Sequence, residues 1–176
     1  MHNIHYRKPS SLDGPDIHNL IRRCPPLDQN SLYCNLLQCT DFAETCIVAE
    51  SDNGEVAGFI SGYIKPHAPN TLFIWQVALD EKYRGLGIAS TLLSELFNRN
   101  STVTHMETTI SPSNHASQKL FETFFKNHHM PVETRVLFES GRHLDSEHED
   151  EVLYSAGPAK QLRPIKAHSQ SGAHLR

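Results

Sequence analysis

LFIWQVALDEKYRGLGIASTLLSELF, residues 72–97, runs from an almost unbroken apolar stretch, through a turn with two glycines, into an apolar stripe at helical spacing. Residues 72–80 read as a strand covered on both faces and central in a sheet, because their hydrophobicity is nearly continuous rather than alternating. Ile88, Leu92, Leu93, Leu96 and Phe97 then recur at the intervals of an amphipathic helix that begins near Gly87. A glycine turn between such a strand and helix leaves unpaired N–H groups at the positive end of the helix dipole. Gly85 and Gly87 remove Cβ atoms where a phosphate would approach the main chain, and Arg84 adds a positive charge. The same residues also serve as a plain turn ahead of a helix. The third glycine of a dinucleotide fingerprint and the Lys-Ser/Thr of a P-loop are both missing, which removes dinucleotide binding and nucleotide hydrolysis.

Outward from this stretch the periodicity alternates between helical and extended. Towards the N-terminus, DGPDIHNLIRRC spaces Ile17, Leu20 and Ile21 on one helical face, and Pro25-Pro26 ends that helix. Ser31 caps a second, short helix, LYCNLLQC. CIVAES and VAGFISGYI form two antiparallel strands joined by Asp52-Asn53-Gly54, a strong hairpin signal. Towards the C-terminus come a strand HMETTI, a helix within SPSNHASQKLFETFF, and two strands, VETRVLFES and EVLYSA. RHLDSEHED, between the last two strands, is too polar for a core and reads as a solvated hairpin loop. The fold class is therefore α/β (α+β): one mixed, central β-sheet flanked by helices on both faces.

The chain has 176 residues, enough for one core, and residues 1–158 read as a single domain. Residues 159–176 carry Lys160, Arg163, Lys166 and Arg176 with no acid and read as a basic, disordered tail. A net charge of −4 argues against a general nucleic-acid binder, and no run approaches the roughly 18 apolar residues of a membrane span. The N-terminus lacks the apolar block of a secretory signal, so a cytoplasmic protein acting on a small soluble molecule is expected. Cys24, Cys34, Cys39 and Cys46 form no CxxC pair and read as reduced, mostly buried thiols. The twelve histidines show no ligand spacing, and no metal is expected.

The order of elements, together with Arg84-Gly85-Leu86-Gly87-Ile88-Ala89 written as the Q/R-x-x-G-x-G/A signature, resembles the GNAT superfamily of N-acetyltransferases over residues 4–156. The resemblance implies that Arg84, Gly85, Gly87, Ile88 and Ala89 hold the pyrophosphate of acetyl-CoA. It implies that the pantetheine arm pairs along residues 75–79, including Val77 and Leu79, where strands splay apart. A main-chain N–H near Val77 then serves as oxyanion donor. Asn114 matches the family's asparagine that contacts the coenzyme, with Ser117 one turn on; Asn114 reads equally well as a helix N-cap. Where many members place a tyrosine as general acid, this chain has Phe121, which cannot donate a proton.

Three separated stretches, residues 24–39, 72–80 and 148–154, with residues 6–21, resemble more narrowly the branch of the superfamily that acetylates L-2,4-diaminobutyrate in ectoine synthesis. This implies acetyl transfer to the γ-amino group by a homodimer. A doubly cationic amino acid needs a pocket richer in acids than bases, and Asp28, Glu149, Asp150 and Glu151 supply them. The attacking ammonium must first lose a proton, so Glu151 or His148 is the expected acceptor, with Asp28 gripping the α-ammonium. In a regular strand Glu149 and Glu151 face one side and His148 and Asp150 the other. Trp75 offers the methylenes an apolar wall, or simply packs in the core; Tyr33 offers a hydroxyl or likewise packs. No thiol is paired with a base, so direct transfer without an acyl-enzyme is expected.

Overall fold

The computed structural model describes residues 3–160; the tail expected over residues 159–176 lies, beyond Lys160, outside them. Among the described residues, seven strands form one sheet. They are β1 (Ile4–Arg7), β2 (Ile47–Ser51), β3 (Val56–Lys65), β4 (Ala68–Leu79), β5 (His105–Ile110), β6 (Val132–Phe138) and β7 (Glu151–Ala156). Their order is β1-β2-β3-β4-β5-β7-β6, so β4 is central, as its continuous hydrophobicity requires. Four α-helices accompany it: α1 (Gly14–Arg22), α2 (Leu32–Cys39), α3 (Ile88–Arg99) and α4 (His115–Asn127).

Two apolar clusters hold the layers. On one face α1 buries Ile17, Leu20 and Ile21 against Val48, Phe59 and Ala78. On the other, Leu92, Leu93 and Leu96 of α3 and Phe121, Phe124 and Phe125 of α4 pack with Leu72, Ile74, Met106 and Ile110. Gly58 of β3 permits this approach, since a Cβ there would come 3.0 Å from the Leu92 Cδ1. The expected mixed sheet with helices on both faces is thus observed.

β1 was not expected. Ile4 and Tyr6 alternate with His5 and Arg7 and pack on the larger apolar cluster, but four residues are too short a run to signal a strand by themselves, and what fixes them is pairing with β2 over Ile4↔Ser51 to Arg7↔Val48. Arg7 fixes this edge by donating to both Asp13 carboxylate oxygens, at 2.9 and 2.7 Å, and to Glu50. Burial of Asp13 opposes its ionisation. The hydrogen bonds from Arg7 and Ser10, with the Arg7 charge, outweigh that and hold the carboxyl below its usual range.

Two irregularities interrupt the pairing of β4. Its antiparallel register with β3 jumps from Ser61↔Gln76 to Gly62↔Ile74, leaving Trp75 as the extra residue of a β-bulge. Its parallel pairing with β5 runs only from Thr71↔His105 to Ile74↔Thr108. There the buried Thr108 hydroxyl donates to the Ile74 carbonyl at 3.1 Å. Beyond that point β5 goes on pairing with β7 through Thr109 and Ile110, while residues 75–79 of β4 are left without a partner on that side.

Candidate functional site

Two cavities open where β4 and β5 part. The first, about 450 Å³, is a groove lined by Cys24, Leu79, Arg84, Gly85, Ala89 and Leu120, among others. The second, about 280 Å³, is a cleft lined by Asp28, Trp75, Phe121, Phe138, His148 and Glu151, among others. Pro26, Leu27, Val77, Asn114 and Ser117 border both, so the two spaces meet at the splayed segment of β4.

The groove follows from the glycine turn. Gly85 and Gly87 both have φ +76°, a left-handed conformation that side chains with a Cβ resist. Gly87 is the N-cap of α3, whose first turn offers N–H groups that lie too early in the helix to find a carbonyl four residues back. A Cβ at Gly85 or Gly87 would meet nothing within 4 Å, so no packing within the chain demands glycine at either position. Of the six residues of the motif, Arg84, Gly85 and Ala89 line the groove, and the Ile88 side chain is buried in the core. Ile88 therefore presents only its main chain. Asn114 caps α4 by accepting from the Ser117 N–H at 3.1 Å and also borders both cavities, so its two roles coexist.

The cleft residues named from the sequence come from three separate segments. Trp75, 49% exposed, forms one wall because the bulge turns it out of the pleat. Asp28 comes from the loop after α1, and Glu151 from the first residue of β7. His148 approaches from the loop between β6 and β7, its Nε2 3.6 Å from Asp28 Oδ2. Four carboxylate and imidazole groups were expected to divide between two strand faces; β7 starts only at Glu151, so that alternation does not apply to residues 148–150. Instead His148 and Glu151 share the cleft. Asp150 accepts from the Ser140 N–H at 2.7 Å, and Glu149 accepts from the Ser113 hydroxyl outside the lining residues. Tyr33 is 71% exposed and does not line the cleft either, because the helix face that α2 buries is the one with Asn35, Gln38 and Cys39.

Several lining residues lacked a local signal. Thr108, Phe138 and Leu144 reach the cleft only through strand pairing and the fold of the loop before β7. Gln76 was also missed: its Nε2 donates to the Asp28 carbonyl at 2.8 Å, and its Oε1 accepts from Asn30 Nδ2 at 3.3 Å.

The chemistry open to such a site is polar and direct. All four cysteines are free thiols. Burial pushes Cys39 up to about 11 and Cys46 up to about 12, and also raises Cys24, which donates to the Leu79 carbonyl at 3.4 Å. No thiolate nucleophile is prepared. Among the described residues no group of three or more His, Cys, Asp or Glu side chains could hold a metal ion, and no helix is long and apolar enough to cross a membrane.

Residues 14–125 match the profile of the acetyltransferase (GNAT) family. An L-2,4-diaminobutyric acid acetyltransferase of Methylotuvimicrobium alcaliphilum is 44% identical over 158 residues, covering 89% of this chain and 91% of that one. Its counterpart in Chromohalobacter salexigens is 46% identical over 154 residues, 86% and 80% of the two chains. Among solved structures, diaminobutyrate acetyltransferase EctA of Paenibacillus lautus, in complex with L-2,4-diaminobutyric acid and coenzyme A, superposes with a TM-score of 0.85. It is 39% identical and covers 90% of this chain and 96% of its own. The ribosomal-protein-S18-alanine N-acetyltransferase of Escherichia coli, at 15% identity and a TM-score of 0.65 over 90% and 96% of the two chains, shares the fold.

Proposed function

Because this chain belongs to the GNAT acetyltransferase family, and within it to the L-2,4-diaminobutyric acid acetyltransferases, we propose that its two joined cavities are the coenzyme and acceptor halves of one active site. The protein is an acetyl-CoA-dependent N-acetyltransferase of ectoine synthesis that acetylates diaminobutyrate. The observation that carries the reading of the site is the meeting of groove and cleft at Val77, on the stretch of β4 without a β5 partner.

In this reading the amides of the glycine turn, with Arg84, hold the coenzyme pyrophosphate. The pantetheine arm lies along residues 75–79 and brings the thioester to the junction. Diaminobutyrate occupies the cleft with its α-ammonium at Asp28 and its methylenes against Trp75. Glu151, held on a strand, takes the proton from the γ-ammonium; His148 lies on a loop and is drawn towards Asp28. The freed γ-amine attacks the acetyl carbon, and the resulting oxyanion accepts a hydrogen bond from a main-chain N–H near Val77. Collapse breaks the carbon–sulfur bond and releases coenzyme A as a thiolate, and the nitrogen sheds its second proton to solvent to give the neutral amide. Phe121 stands in the cleft where it can give no proton, and a thiol with an ordinary pKa near 8.5 is a good enough leaving group without one.

The four free thiols fit a reducing compartment, and we place the enzyme in the cytoplasm. We also propose a homodimer joined along β6. That strand ends the sheet, and Val132 and Val136 on it are 41% and 45% exposed. An antiparallel copy centred on Thr134 would set Glu133 opposite the partner's Arg135 and Val132 opposite the partner's Val136. Registers centred on Glu133 or Arg135 would oppose like charges.

The deciding experiment measures thiol release from acetyl-CoA with diaminobutyrate and with putrescine, and identifies the product by NMR. A strong preference for diaminobutyrate, acetylation at Nγ and intersecting double-reciprocal plots are expected. Equal rates with putrescine, or parallel plots, would overturn the reading.

A further inference from the structure

The bulge that turns Trp75 into the cleft also re-aims its neighbour. Ile74, Val77 and Leu79 all pack on the cluster under α3 and α4, although Ile74 and Val77 are three residues apart and regular alternation would put them on opposite faces. The extra residue resets the alternation, so Gln76 shares the opposite face with Ala78, which packs on α1. From there its side chain reaches the loop after α1 in both senses: it donates to the Asp28 carbonyl at 2.8 Å and accepts from Asn30 Nδ2 at 3.3 Å.

Those bonds matter because little else holds Asp28. Its side chain is 82% exposed, and the one side chain that pairs with its carboxylate among the described residues is His148 at 3.6 Å, itself on a loop. The flanking prolines, Pro25 and Pro26, have no N–H to offer a neighbour. The segment is tied down at its start by the Cys24 thiol on the Leu79 carbonyl at 3.4 Å and at its far side by Gln76. Both anchors lie on β4.

We propose that Gln76 is a positioning residue for the acceptor: it sets the place of Asp28 over the cleft, so that one β-bulge fixes both the apolar wall and the ammonium site for diaminobutyrate. This rests on the assignment of Asp28 to the α-ammonium. Gln76 itself borders the cleft, but both ends of its amide are engaged, by the Asp28 carbonyl and by Asn30, so in this scheme it acts on the acceptor through Asp28. Its loss lets the loop drift, and ordering that loop then has to be supplied by binding.

The test is a double-mutant cycle of Gln76→Ala and Asp28→Ala, with steady-state kinetics for both substrates and thermal melts as a check on folding. Gln76→Ala is expected to raise KM for diaminobutyrate about tenfold, the loss of a partly exposed hydrogen-bond pair, with kcat and KM for acetyl-CoA within about twofold. In the Asp28→Ala background it adds nothing. Gln76→Glu keeps the volume and the acceptor for Asn30 but loses the donor to Asp28, so it serves if the alanine variant folds poorly; it too raises KM for diaminobutyrate. An unchanged KM in Gln76→Ala and Gln76→Glu while Asp28→Ala raises it, or equal losses in both backgrounds, would refute the positioning role alone. An Asp28→Ala enzyme with unaltered KM for diaminobutyrate would instead refute the assignment beneath it, and the positioning role with it.

Discussion

Asp28 and His148 face each other across the mouth of the cleft, Oδ2 to Nε2 at 3.6 Å, one from the loop after α1 and the other from the loop before β7. In the proposed reading an incoming ammonium competes with this imidazole for the same carboxylate, so that His148 stands in for the substrate and Glu151, anchored at the start of β7, is assigned the proton transfer. Glu151→Gln is expected to lower kcat by about 10²- to 10³-fold, the usual worth of a general base, with KM for acetyl-CoA unchanged. His148→Ala loses less than tenfold. Single-turnover rates for the two variants separate them, and a larger chemical-step loss in His148→Ala would reverse the assignment.

The glycine turn allows a controlled comparison. Gly85 and Gly54 share φ +76°, and a Cβ on either meets nothing within 4 Å. Alanine at each position costs a similar left-handed strain, about 1 kcal/mol or slightly more. Only Gly85→Ala brings a methyl to the coenzyme groove, so coenzyme A affinity by calorimetry should fall at least tenfold there and stay unchanged in Gly54→Ala. Equal affinities in the two variants would remove the pyrophosphate from this turn.

The pairing proposed for β6 is tested by exchanging charge. Glu133→Arg sets arginine opposite the partner's Arg135 twice over, and Arg135→Glu does the same with carboxylates; both are expected to shift the protein towards monomer in analytical ultracentrifugation. The double variant, Glu133→Arg with Arg135→Glu, restores opposite charges and the dimer. Dimerisation insensitive to all three would place the interface elsewhere.

Acid stability should report on Asp13. Its folded carboxyl titrates below its ordinary value of 3.8, so it contributes stability that is fully present above that value and is lost as pH falls through the folded one. Asp13→Asn leaves Arg7 without that charge and should destabilise at pH 7 by roughly 2 kcal/mol, at the low end for a partly buried pair because the Arg7 side chain is 38% exposed. The gap between wild type and variant in urea midpoints should narrow at pH 3. A gap of the same size at both pH values would show that the Arg7–Asp13 charge pair is not its source.

Local sequence determined the helices, the β2–β3 hairpin and the glycine turn. Helical stripes, an Asp-Asn-Gly turn and a Ser31 cap each act within a few residues, and Ser31 does accept from the Cys34 N–H at 3.1 Å. Sequence also named Asp28, Trp75, His148 and Glu151, which the fold brings to one cleft from three separate segments. Tertiary structure alone decided the rest. β1 is a strand because β2 offers it an edge, and Glu149 and Tyr33 leave the site because Ser113 and the buried face of α2 claim their orientations. Gln76 reaches the loop after α1 because a single inserted residue resets the alternation of β4. Periodicity reports which neighbours along the chain share a face; it carries no record of where a distant strand stops pairing, and the groove and cleft meet at such a stop.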